Sequence, residues 1–99
     1  MPTIRIDLQD GFAGDSIVVR VGEREIFRGD GVRTSRLLGF AHTVSTDVPW
    51  GRVPVAVEVP SRGLAGQTTV DVNGEVYVGV SISPEGVAFQ SSNGPFGYA

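Results

Sequence analysis

The chain has no cysteine, no lysine and a single histidine, His42. Without cysteine there is no disulfide, no thiolate nucleophile and no zinc–thiolate site. Without lysine, positive charge rests on eight arginines, at 5, 20, 24, 28, 33, 36, 52 and 62, which face eleven acids for a net charge of −3. These arginines are scattered among acids and form no basic stripe of the kind that neutralises phosphates. Neither nucleic acid nor an anionic membrane is therefore an expected partner. No apolar run approaches the ~20 residues of a membrane span. The opening Met1-Pro2-Thr3-Ile4-Arg5 lacks the apolar core of a secretory signal, so a cytoplasmic location is expected.

Uninterrupted chain is scarce as well. Fourteen glycines and six prolines are spread evenly, and the longest stretch free of both is the nine residues from Phe40 to Val48. An average helix of about 11–12 residues has nowhere to sit. All-helical and βαβ architectures are excluded.

What remains is alternation. Ile4, Ile6 and Leu8 alternate with polar residues, as do Val53 to Val59, and Val76 to Ile82. Each segment has one apolar row and one mostly polar row, the mark of a half-buried antiparallel strand. The pattern predicts eight strands, at 3–9, 16–21, 24–28, 37–46, 52–59, 67–72, 75–82 and 87–91. Residues 32–36 read as loop, as do the longer connections Asp10 to Asp15 and Ser61 to Gln67. One sheet alone would leave its greasy face wet, so two must pack together. The expected fold is all-β, an antiparallel β-sandwich with a jelly roll among its variants. It forms a single domain over 1–92, and 93–99 make an aromatic tail.

Turn chemistry supports the strands. Asn73-Gly74 between two valine rows predicts a type I′ hairpin. Ser83-Pro84-Glu85-Gly86 reads as a type I turn. Val21-Gly22-Glu23-Arg24 should close another hairpin. Pro54 lacks a backbone donor, which places its strand at an edge or turns that position toward solvent.

Three sets of residues carry chemistry. A serine hydrolase would need His42 as its base. Its parity with Leu38, Phe40 and Val44 puts it on the core side or at the margin where the sandwich opens, and a packed structural histidine is the favoured reading. Asp10, Asp15 and Asp30 lie in glycine-rich loops, and at one end of a sandwich they would suit calcium, which takes six to eight oxygen ligands. The competing reading is that aspartate caps its own backbone in turns. Tyr77 and Gly79 share the outer face of one strand and make an aromatic shelf, and Trp50 stands in a turn. Phe96 and Tyr98, in the tail, would cover that shelf in their own subunit or in a neighbouring one.

The segment Gly14-Asp15-Ser16-Ile17-Val18-Val19-Arg20-Val21-Gly22, followed by Glu25-Ile26-Phe27, resembles the strand-turn-strand of small calcium-dependent xylan-binding sandwich modules. The likeness is confined to that hairpin, and the ligand-binding loop of those modules has no matching residues here.

Three functions follow as expectations. The first is a non-enzymatic protein acting through self-association, as a homo-oligomer, or through binding another protein. The second is calcium-assisted carbohydrate binding, with Asp10, Asp15 and Asp30 as metal ligands and Tyr77 or Trp50 as the stacking platform. The third is a small hydrolase built on His42. Calcium in the second reading is the only cofactor expected.

Overall fold

A computed structural model describes residues 1–97 of the chain. Eight strands follow in order: β1 (Thr3–Leu8), β2 (Ala13–Val21), β3 (Arg24–Arg33), β4 (His42–Asp47), β5 (Gly51–Val59), β6 (Leu64–Val72), β7 (Val76–Ser83) and β8 (Gly86–Ser92). A single 3-10 turn, Pro60–Arg62, joins β5 to β6. The strands form two four-stranded sheets, ordered β4-β1-β7-β8 and β3-β2-β5-β6. The alternating valines and isoleucines meet between them, with Ile6, Leu8, Ile17, Val19, Val55, Val57, Val78 and Val80 fully buried. Period-2 patterning thus becomes a dry interior with wet outer faces.

The pairing is antiparallel throughout except where β1 lies parallel to β7. Parallel neighbours need a long crossover. Here the whole of the chain between β1 and β7 supplies it. The all-β sandwich expected from the sequence is what the chain forms, and its antiparallel pairing is corrected only at this one pair.

The Asn73-Gly74 turn is a second correction. It does not close a hairpin, because β6 and β7 belong to different sheets. Asn73 does not take a positive φ, as a type I′ turn would require. Val72 and Val76 both face the interior, but from opposite sheets, so the short connection carries the chain across the core. The other two turns do close hairpins, pairing Val21 with Arg24 and Ser83 with Gly86.

Residues 37–41 are not strand. The Ser35 Oγ accepts the Leu38 N–H at 3.1 Å, and the Ser35 carbonyl accepts the Gly39 N–H at 2.8 Å. Gly39 takes φ +83°, and the chain turns there instead of extending. Extended structure is gained elsewhere: β3 runs through 29–33, β2 takes in 13–15 and β6 begins at Leu64.

Pro54 sits in β5, a central strand, so the edge alternative is also corrected. Its carbonyl accepts the Gly22 N–H at 2.9 Å, beyond the last β2–β5 pair, Val21 with Val55. The missing donor therefore points at the β2–β3 turn, where no ladder continues.

Candidate functional site

Sandwich flanks are where two sheets end together, and here they differ sharply. On the first flank β3 faces β4. Phe27 stacks on His42 with ring centroids 4.5 Å apart. Arg24 reaches across from β3, its guanidinium donating to the Thr46 Oγ1 at 3.1 Å and to the Asp47 carbonyl at 3.0 Å. The β3 edge itself carries Arg24, Glu25, Arg28, Asp30 and Arg33, and its register against β2 slips three times. Arg28 pairs with Glu25 at 2.7 Å, which holds the Glu25 carboxyl below its usual range and raises Arg28. Charges and bulges of this kind block the addition of another strand.

On the second flank β6 faces β8, and neither strand is bulged. Residues 63–70 and 86–94 contain no charged side chain. Both strands keep an unbroken register with their inner neighbours. The sheets close over Gly66, where a Cβ would lie 2.8 Å from the Val87 Cβ and 3.1 Å from the Phe89 ring. Nearer the β6–β7 connection the flank opens into a cleft of about 310 Å³ lined by Thr69, Asp71, Val76, Ser91 and Asn93.

The outward backbone groups of these strands can be assigned. Because the Pro54 carbonyl faces β2, the odd-numbered residues of β5 face β6 and pair with its even-numbered ones. The N–H and C=O groups of Ala65, Gln67, Thr69 and Asp71 therefore point out of the sheet. In β7, the Val80 carbonyl and the Ile82 N–H face the β1 side, so its odd-numbered residues pair with even-numbered residues of β8. Val87, Phe89 and Ser91 are left pointing out. One flank thus presents two regular edges side by side, with Asp71 at one end their one charged residue.

The residues singled out in the sequence fall in separate places. His42 keeps the parity of Val44 but lies at the rim, exposed, with its ring face on Phe27. It stands at the margin and is not packed into the interior, because β4 is an edge strand and His42 is its first residue. The Ser16 and Ser61 hydroxyls are engaged with carboxylates, Ser16 with Asp30 at 2.7 Å and Ser61 with Asp15 at 3.1 Å.

Asp15 is 5% exposed and saturated. The Arg62 Nε and Nη2 donate to its two oxygens at 2.8 and 2.9 Å, and the Ala13 N–H donates at 2.9 Å. The Arg62 hydrogen bonds are the main reason its carboxyl titrates below the usual range, against the opposing effect of burial. Arg62 also donates to the Gly11 carbonyl at 2.8 Å, so the 3-10 turn clasps the β1–β2 loop. At Gly11, with φ +92°, a Cβ would collide with the Ile82 carbonyl oxygen, so only glycine fits beneath the clasp. A guanidinium thus occupies the place a cation would take at Asp15. Asp10 binds through its backbone, its N–H donating to the Ser81 Oγ at 3.3 Å and its carbonyl accepting from Ile82 at 2.9 Å. Among the described residues no three His, Asp or Glu side chains are placed to hold a metal ion together. Asp10, Asp15 and Asp30 are not brought together.

The aromatic shelf is also altered. Gly79 is buried under the Gln9 side chain, which occupies the space its own Cβ would fill. Tyr77 is half-buried, and its hydroxyl donates to Glu75 at 3.2 Å. Burial and the Glu75 charge both push the phenol up. Trp50 is 66% exposed in the β4–β5 turn. Phe96 is half-buried, and Tyr98 lies outside the described residues.

No described helix is long and apolar enough to cross a membrane. Compared with protein-family models, curated proteins and solved structures, the chain matches none.

Proposed function

We propose that this protein is a non-enzymatic interaction module that assembles with copies of itself through the β6–β8 flank. One observation carries the reading: two adjacent edge strands offer seven outward-facing backbone residues with no charge, bulge or proline among them except Asp71 at one end. A regular edge is a template for another strand. Main-chain hydrogen bonds would supply affinity, and the cleft between Thr69 and Ser91 would accept side chains from the incoming copy. The dispersed aspartates and the rim position of His42 give the carbohydrate and hydrolase readings no comparable support.

Proline at Gln67 and Ser91 tests the reading. Each removes an outward N–H and leaves the inner ladder its donors. The parent protein is expected to sediment above the monomer mass, and Gln67→Pro with Ser91→Pro to return it to monomer with its fold intact by circular dichroism. A double variant that associates as strongly as the parent contradicts the proposal.

A further inference from the structure

The chain has two asparagines, Asn73 and Asn93, and glycine follows each of them. An Asn-Gly pair carries both partners of a reaction. The glycine backbone nitrogen can attack the asparagine side-chain amide, because no Cβ on the second residue stands in the way. Whether it does so depends on how the fold holds that nitrogen, and here the two pairs differ.

At the second pair the Gly94 N–H donates to the Ser92 Oγ at 3.2 Å, so the nitrogen is already engaged. At the first pair no group among the described residues accepts the Gly74 N–H. Asn73 is exposed. A Cβ built on Gly74 would meet nothing within 4 Å, so there is room for a ring to close over the backbone. Both residues lie in the short connection 73–75 that crosses between the sheets, outside either ladder. No strand pairing opposes the local rotation that ring closure requires.

We propose that Asn73 is a site of spontaneous covalent modification, losing its side-chain amide as ammonia through attack by Gly74, while Asn93 is held back. The Gly74 nitrogen gives up its proton and bonds to the Asn73 Cγ. The Cγ–Nδ2 bond breaks, and Nδ2 leaves with a proton as ammonia. A five-membered succinimide remains, and water opens it at one of its two carbonyl carbons. Opening at Cγ leaves aspartate. Opening at the main-chain carbon leaves isoaspartate, whose backbone runs through Cβ and Cγ. Either product adds a carboxylate between Asp71 and Glu75. Isoaspartate also lengthens the crossing between the buried Val72 and Val76 by a methylene. Water is the only co-reactant, and the change does not depend on the flank reading.

The test ages the full chain at mildly alkaline pH and maps it after cleavage at Glu75 and Glu85, which separates the two asparagines. Conversion is read as the mass gained when an amide becomes a carboxyl, and as label accepted from an isoaspartyl methyltransferase. A hydrogen bond that must first be broken slows attack about fivefold, so Asn73 is expected to convert about fivefold faster than Asn93. In urea, where the Ser92 contact is lost, the two sites should convert at similar rates. Isoelectric focusing of the aged folded protein should show one dominant acidic shift. Asn73→Gln should remove it, because the longer side chain closes a ring far less readily, and leave the slow change at Asn93. Equal conversion of both sites in the folded chain overturns the proposal. So does a folded Asn73 that stays intact while the unfolded one converts, or an acidic shift that survives in Asn73→Gln at the parent's rate.

Discussion

Along β3 and β4 the sandwich is closed by aromatic stacking, by Arg24 crossing between strands and by a bulged, charged edge. Along β6 and β8 it is closed by the absence of a side chain, with Val87 and Phe89 crossing over Gly66. On the first flank the β3 edge is bulged and charged while β4 keeps an unbroken register; on the second both edges are regular, with Asp71 their one charged residue. A protein that needed to stay monomeric would guard both flanks. The proposed assembly rests on this asymmetry, which can be attacked from either side.

The largest effect is expected at Gly66. Gly66→Val would press a branched side chain into Val87 and Phe89 and force the two sheets apart, since the space is already filled. Overpacking of this kind costs roughly 1–3 kcal/mol, and here the upper end is expected, about 3 kcal/mol, read by urea unfolding. A loss of association that exceeds the loss of stability would further assign the flank to assembly.

Next comes the Arg62 clasp, which fixes the corner where β6 begins. Arg62→Met leaves the Asp15 carboxylate buried without its principal donor, and about 2 kcal/mol should be lost. The pH dependence has a defined sign. A carboxyl that titrates below its usual value when folded contributes stability above about pH 4, and that contribution disappears as pH falls through its lower folded value. Thermal melts of the parent should therefore steepen their decline below pH 4, and Arg62→Met should flatten that decline. An unchanged acid profile would contradict the clasp.

The smallest effect is expected on the guarded flank. His42→Ala removes an exposed ring from Phe27, worth about 1 kcal/mol, or roughly 4–8 °C in melting midpoint for a domain of this size. Association should be untouched. A His42→Ala protein that loses assembly would reverse the assignment of the two flanks.

Much of the fold was legible in the residues. The apolar rows at Ile4 to Leu8, Val53 to Val59 and Val76 to Ile82 are the core rows of β1, β5 and β7. The failures share a cause. Asn73-Gly74 has the composition of a hairpin, but whether β7 returns beside β6 or crosses to β1 depends on contacts some seventy residues away in the chain. The strand drawn through 37–46 missed the Ser35 hydroxyl, which competes with extension by holding the Leu38 N–H. The flank proposed for assembly was hidden for the first of these reasons. Lack of charge over 63–70 and 86–94 is visible in the sequence. It signifies an open edge only when strand order puts both segments on the same side. In the same way Asp15 looked available until the chain fold brought Arg62 onto it.

Backbone amide hydrogen exchange, compared at high and low protein concentration, tests the central claim most directly. Gln67, Thr69, Phe89 and Ser91 direct their N–H groups out of the sandwich, so in an isolated molecule they should exchange quickly, while their neighbours Thr68 and Gln90 are held by the inner ladders. The account predicts that these four become slow at concentrations where the protein associates and fast again on dilution. Fast exchange at all four in the associated protein would show that the β6–β8 flank is not where the copies meet.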